Sequence, residues 1–305
     1  MKWLEITVAA AGSDVEAVAD LLRAHSPGGV SIEEPLDLSR DDGLLSVDPN
    51  SLALVKAYLL CDDRLADRER ALRRELSELR LSRPLAPCVT RQVQEEDWAA
   101  SWKEHFQVER IGRRLVVRPR WRQYEAQPSD IVIDLDPGMA FGTGQHATTR
   151  MCLVALEERL RPGCRLLDLG TGSGILAIAG PALGASEVVA LDNDPLAVTV
   201  AAANVAANGV SDRVTVREGS LGDVWPLGAP WRGAFDCLVA NISSTTIIAL
   251  AESLVQALAS GGLGIGGGIG GERCDECRLA LEAADGRVVE VMAEGDWRTL
   301  VFEAR

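Results

Sequence analysis

The stretch LLDLGTGSGILAIAG (166–180) sets three glycines and an acid in a pattern that does chemistry: Asp168, Gly170, Gly172 and Gly174. It follows an apolar run of strand character and opens a helix. Glycine lets backbone approach a ligand there, and the helix start supplies free N–H groups. Twenty-two residues past Gly170 stands Asp192, in VVALDNDP, at the end of the next apolar run. A carboxylate at that place accepts both hydrogen bonds of a ribose diol. A nucleoside-triphosphate loop would need Gly-Lys-Ser/Thr, which is absent. The dinucleotide spacing would put its third glycine at 175, where this chain has Ile175. Asp168 would repel a pyrophosphate and attract a cation. S-adenosylmethionine has the matching make-up, with a sulfonium, an ammonium, a ribose diol and no phosphate.

A second Gly-Thr-Gly lies just upstream, in GMAFGTGQHATT (138–149). The paired threonines that end it are read as a helix cap, which sets Thr149 beside the cofactor pocket. Phe141, Thr143 and His146 are read as a cover over the methyl group, on the substrate side. His146 is a candidate base, with a structural loop histidine as the alternative. A further glycine run, GGLGIGGGIGGERC (261–274), also fits a dinucleotide pattern at Gly266, Gly268 and Gly271. Eight glycines in eleven residues match almost any pattern, so the run is read instead as a poorly packed strand.

These motifs need elements to hold them. WLEITVA (3–9) has strand composition, and DVEAVADLLRAHS (14–26) has helical periodicity behind an Asp14 cap. Strands follow at 30–34 and 52–61, a strongly amphipathic helix at 65–82 and a strand at 88–93. The order β-α-β-β-α-β is that of the ferredoxin-like split fold, a small α+β domain over residues 1–93. EEDWAASWKEHF (95–106) reads as a helix and RRLVVRPRW (113–121) and DIVIDLD (130–136) as strands, with 94–129 taken as a linker helix and connecting segment. Over 130–305, strands are expected at 165–169, 187–191, 213–217, 235–240 and 263–269. Helices are expected at 149–160, 174–183, 195–207, 246–259 and 272–284, and a terminal hairpin turns at Gly295. Such alternation is α/β, a doubly wound Rossmann-like sheet.

The 305 residues allow two domains, and 47% hydrophobic with 25% charged residues is ordinary for a globular protein. No apolar run reaches about 18 residues, so no membrane span is expected. The N-terminus reads as a strand rather than a leader. Seven scattered cysteines do not form a secreted disulfide framework, and the chain is read as cytoplasmic. Cys274 and Cys277 lack a second pair, so they are read as reduced thiols and no metal is expected. A net charge of −14 opposes binding along nucleic-acid phosphates. The acidic stretch 31–49 is a solvated loop or a surface for a basic partner.

Taken together, MKWLEITV, PGGVSIEE, EEDWAASWK, DPGMAFGTGQHATT, LDLGTGSGILAIA and VANI resemble, in order and over nearly the whole chain, the PrmA methyltransferases of ribosomal protein L11. The stretch DPGMAFGTGQHATT is the specific part; the loop LDLGTGSGILAIA is shared by many methyltransferases. The resemblance implies a class I methyltransferase domain in which Thr149, Gly170, Asp192 and Asn241 contact S-adenosylmethionine. It implies an N-terminal domain that recognises the ribosomal protein, and trimethylation of lysine and N-terminal amines. Two departures stand out: Ala147 replaces the family's usual proline, and the strand after Gly262 is glycine rather than branched aliphatic.

A lysine must lose its proton before attacking a methyl carbon, at a cost of about 4 kcal/mol at neutral pH unless desolvation lowers its pKa. No strong general base is assigned. Asn241, in CLVANISS, stands where related amino-methyltransferases carry Asn-Pro-Pro-Tyr, and is the leading catalytic candidate. The chain is read as a monomer with ribosomal protein L11 as partner, and without nucleic acid or membrane. Methylation of another protein or a small molecule stays open, as does a non-catalytic binding module that has kept a cofactor pocket.

Overall fold

The structure is a computed structural model that describes residues 2–26, 30–33, 36–37, 46–47, 52–85, 87–94, 106–136, 142, 144–228 and 230–305. The helix expected at 95–106, most of the acidic stretch, Phe141 and Thr143 lie outside the described residues. The chain divides into two compact units, Met1–Phe106 and Gln107–Arg305.

In the first unit, β1 (Lys2–Ala11), β2 (Val30–Glu33), β5 (Leu52–Leu60) and β6 (Val89–Gln94) form an antiparallel sheet in the order β2-β5-β1-β6. Two-residue strands β3 (Leu36–Asp37) and β4 (Ser46–Val47) pair separately. Helices α1 (Val15–His25) and α2 (Leu65–Glu78) complete the ferredoxin-like unit. Apolar residues at 15, 18, 19 and 22 make the buried stripe of α1, with Leu72 and Leu76 buried on α2. Alternation on β1 buries Ile6, Val8 and Ala10. Asp14 does not cap α1 with its side chain. Its buried carboxylate instead accepts from the backbone N–H and hydroxyl of Ser82, 68 residues away. A tertiary partner outcompetes the local one.

The second unit begins before residue 130. The stretch read as connector supplies β7 (Glu109–Ile111) and β8 (Leu115–Pro119), and β8 pairs in parallel with β9 (Ile131–Leu135). Strict in–out alternation is absent from β8; Leu115, Val116 and Val117 are all buried, so this strand is covered on both faces.

The main sheet contains β10 (Arg165–Leu169), β11 (Glu187–Asp192), β12 (Val214–Glu218), β13 (Phe235–Asn241), β14 (Leu258–Gly270), β15 (Gly286–Glu294) and β16 (Trp297–Ala304). Their order is β12-β11-β10-β13-β14-β16-β15; all neighbours are parallel up to β14, and β16 is antiparallel to both its neighbours. Helices α3 (Ala147–Arg159), α4 (Ile175–Leu183), α5 (Pro195–Ala207), α6 (Ser244–Ala257) and α7 (Cys274–Ala283) accompany it. Strand order reverses at β10, which has β11 on one side and β13 on the other. That switch point opens a crevice at the carboxyl ends of these strands.

The glycine-rich strand β14 is well packed, contrary to expectation. A Cβ on Gly264 would lie 2.1 Å from the ring of Phe302 on β16, a fully buried side chain. The ring occupies the space that a branched residue would fill. Gly266 and Gly268 lie within β14 rather than in a strand–loop–helix turn, so the backbone geometry of a dinucleotide fingerprint is absent there.

Candidate active site

The carboxyl ends of β10, β11 and β13 carry the Gly170 loop, Asp192 and Asn241 respectively. Gly170, Gly172 and Gly174 all have positive φ, at 74°, 54° and 85°. The loop thereby turns tightly into α4, with Gly174 as its N-cap. Backbone N–H groups of Gly170 and Thr171 both donate to Leu191 O, at 2.8 and 2.9 Å, tying the loop to β11. A Cβ at Gly170 would strike Ile242 Cγ2 at 2.3 Å. Glycine at 170 is therefore required by close packing as well as by its φ.

Asp192 accepts from the N–H of Gly172 at 2.9 Å through Oδ2 and from that of Asp194 at 3.0 Å through Oδ1. Each oxygen keeps a lone pair for a ligand hydroxyl. Burial raises the pKa of this carboxyl, and backbone donors at Asp194 and Gly172 counter it. Asp168 is fully buried. Its Oδ2 accepts from the Thr171 hydroxyl at 2.6 Å, bracing the loop from beneath. Its Oδ1 is buried with no hydrogen-bond partner among the described residues. Burial lifts the Asp168 pKa to about 7, with Thr171 and the amide of Ala177 pulling the other way.

Asn241 donates from Nδ2 to the hydroxyl of Thr149 at 3.1 Å. That bond fixes the carboxamide so that Oδ1 is the remaining acceptor, and Oδ1 too is buried without a partner among the described residues. Thr149 is fully buried and lies inside the first turn of α3, not at the capping place expected for it. The cap is His146: its side chain accepts from the N–H of Thr148, with Nδ1 2.8 Å from the Thr148 hydroxyl. The His146 ring stands edge-on to Trp297, with centroids 4.8 Å apart. Burial, helped by the charge of Arg150, lowers its pKa to about 4. In this structure the ring serves as the helix cap. Ala147 occupies the first helical position, where proline is favoured but alanine is also a good helix former, so the departure costs little.

The two glycine loops touch. The Ser173 hydroxyl donates to Gly142 O at 2.5 Å, and a Cβ at Gly144 would lie 3.2 Å from Ile175 Cδ1. Two contributors carry no motif in the sequence, Ser173 and Asn204, while Asn208 one turn on serves β9 outside the site. Buried Asn204 bonds Asp136 and Ser173, and Asn208 bonds Asp134. Their signal was present in AAANVAANG, where two amides one turn apart interrupt an alanine face. Cys277 is buried on α7 with its Sγ 3.7 Å from Ser244 O, and Cys274 is half-buried.

The glycine turn, the Asp192 carboxylate at the strand end and the buried acceptor oxygens of Asp168 and Asn241 suit a cofactor that brings hydroxyls and positive charge. Together with the sheet order, they define a class I S-adenosylmethionine-dependent methyltransferase. The ribosomal protein L11 methyltransferase (PrmA) family matches residues 2–305. The ribosomal protein L11 methyltransferase of Pelotomaculum thermopropionicum is 44% identical over 309 residues, covering 98% of each chain. That of Chloroflexus aurantiacus is 41% identical over 318 residues, covering 98% of this chain and 97% of its own. A crystal structure of ribosomal protein L11 methylase from Lactobacillus delbrueckii subsp. bulgaricus has a TM-score of 0.58 at 31% identity, covering 66% of this chain and all of that one. The chain belongs to the ribosomal protein L11 methyltransferase family.

Proposed function

We propose that this protein methylates ribosomal protein L11, placing up to three methyl groups on lysine side-chain and N-terminal amines. The observation that carries the reading is the meeting of the Gly170 loop and Asp192 with the Asn241–Thr149 pair at one switch point. When bound, S-adenosylmethionine supplies an electrophilic methyl group on a sulfonium. Gly170, Gly172 and Asp192 hold its ribose, Asp192 by two charge-assisted hydrogen bonds. Asp168 braces the loop through Thr171 and offers its second oxygen toward positive charge.

Asn241 Oδ1 accepts from the N–H of the acceptor amine and orients its lone pair, while Thr149 keeps the amide from flipping. No residue is assigned a proton-abstracting step; desolvation favours the neutral amine, and alignment provides the acceleration. Phe141 and Thr143 are assigned to the substrate side of the pocket as part of a cover formed by the stretch GMAFGTGQHATT. The N-terminal unit reads the ribosomal protein, acting in the cytoplasm as a monomer. Among the described residues, no helix is long and apolar enough to cross a membrane.

Incubation with labelled S-adenosylmethionine and a ribosomal-protein extract tests this reading. Label should appear in L11, at lysine and N-terminal amines by mass spectrometry. Label confined to another protein would replace the acceptor, and absence of any transfer would remove the activity.

A further inference from the structure

Helix α5 meets the site through Ala201 and Asn204, and Asn208 continues the same stripe onto β9. A Cβ at Gly174 would lie 3.2 Å from Ala201 Cα, so the cofactor loop rests directly on this helix. One turn on, Asn204 is buried and makes three bonds, all to backbone. Its Oδ1 accepts from Asp136 N at 3.1 Å, and its Nδ2 donates to Asp136 O at 3.0 Å and to Ser173 O at 2.9 Å. Two carbonyls facing Nδ2 and one N–H facing Oδ1 leave a single consistent amide orientation. Asn208 repeats the pattern on β9, accepting from Asp134 N at 2.9 Å and donating to Asp134 O at 2.7 Å and to Asn204 O at 2.8 Å, with none of these bonds reaching the cofactor loop.

Ser173 is therefore held twice. Its carbonyl accepts from Asn204, and its hydroxyl donates to Gly142 O. Asp136 is tied to Asn204 and Gly142 to Ser173, and the Asn204–Ser173 bond joins the two. Ser173 in turn follows Gly172, whose N–H is bonded to Asp192. Thr149, the partner of Asn241, lies seven residues beyond Gly142 in the same run. The groups expected to hold the methyl donor and those expected to hold the amine thus share a frame centred on Asn204 and Ser173.

We infer that Asn204 and Ser173 are positioning residues for methyl transfer, fixing Asp136 and Gly142 to the cofactor loop so that donor and acceptor sites stay in line. The inference rests on the methyltransferase reading of the site. Neither residue touches the reacting atoms. Their effect falls on alignment, where a displacement of about 1 Å costs on the order of a hundredfold in rate. Asn208 is the internal comparison, since it makes the same kind of backbone bonds without reaching the cofactor loop.

The experiment uses the full-length protein and its Asn204→Ala, Ser173→Ala and Asn208→Ala variants. For each, melting temperature, S-adenosylmethionine affinity by calorimetry, and kcat and KM for purified L11 are measured. Asn204→Ala is expected to lower kcat at least about 30-fold, and Ser173→Ala about tenfold, with cofactor Kd within about threefold. Asn208→Ala is expected to lose comparable melting temperature with kcat within about threefold of the parent. A folded Asn204→Ala that keeps kcat within threefold overturns the inference, as does an equal loss of kcat in Asn208→Ala. If Asn204→Ala does not fold, Ser173→Ala decides, since it loses only the hydroxyl: full kcat there overturns the inference. A parent that leaves L11 unlabelled counts against the proposed acceptor, and the same kcat comparison is then made on the protein labelled in the extract. A parent that transfers no methyl group to any protein overturns both readings.

Discussion

The amide of Asn241 donates to the hydroxyl of Thr149 across 3.1 Å, joining the end of β13 to the first turn of α3 over 92 positions of chain. One bond therefore decides which face of the carboxamide is left for a ligand. Asn241→Ala is expected to reduce kcat by about a hundredfold or more, by removing the acceptor for the amine. Thr149→Val, of nearly the same shape, is expected to cost about tenfold by freeing the amide to rotate, a loss of one hydrogen bond. Single-turnover methyl transfer with L11 checks both, and equal rates in Thr149→Val and the parent would dissociate the pair.

Asp192→Ala is expected to weaken S-adenosylmethionine at least about tenfold, since two charge-assisted bonds are lost together. The Gly172 and Asp194 amides also lose their acceptor, so part of the effect comes through the loop. Asp192→Asn separates the two, because its carboxamide oxygen still accepts from one amide. Calorimetry giving equal affinity in Asp192→Ala would remove the ribose assignment.

Asp168 gives a pH dependence with a definite sign. Its folded pKa, about 7, lies above its ordinary value of 3.8, so the folded state holds a proton that the unfolded state has released. Its contribution to stability is present below about pH 4 and is lost as pH rises to about 7. The melting-temperature difference between the parent and Asp168→Asn, without cofactor, should therefore shift against the parent across that range. Cofactor charge favours the ionised form, so Asp168→Asn should also weaken S-adenosylmethionine, more at pH 8 than at pH 6. A flat difference across the range would contradict the buried-carboxyl account.

His146 carries the opposite sign. Its pKa is depressed from 6.5 to about 4, so its stabilising contribution is complete above about pH 6.5 and falls away toward pH 4. As a cap rather than a base, it should be replaceable: Asn is a favoured N-cap, and His146→Asn is expected to keep kcat within about fivefold while costing about 1 kcal/mol of stability. The pH–rate profile of that variant is the decisive measurement; loss of an ascending limb present in the parent would restore His146 as the base.

The proposed function divides its tasks between the two compact units. A chain of residues 94–305 is expected to bind S-adenosylmethionine within a few-fold of the intact protein, because the residues proposed to hold it, Gly170, Gly172 and Asp192, lie in the second unit. It should lose nearly all methylation of L11, since docking places the amine and positioning supplies roughly 7–11 kcal/mol of the barrier. Calorimetry and mass spectrometry on the same preparation test both halves. Full-rate methylation by the shorter chain would take substrate reading away from the N-terminal unit.

Much of this protein is written locally. Apolar periodicity placed nearly every strand and helix, because burial of one face imposes a period of two or 3.6 wherever the chain goes. The Gly170 loop and Asp192 were legible for the same reason: a tight turn needs glycine, and an acid at a strand end needs only its own neighbours. What tertiary structure decided are the relationships between distant segments. Asp14 looked like a cap until Ser82, 68 residues away, offered a better donor set. The glycines of β14 looked poorly packed until Phe302 filled the space above Gly264. His146 caps α3 with its ring packed against Trp297, a partner 151 positions away that no local pattern names. The Asn204 bridge from Asp136 to Ser173 has no local signature beyond an amide on an alanine face. Spacing along the chain specifies what each segment can form, and only packing specifies which polar group finds which partner once water is excluded.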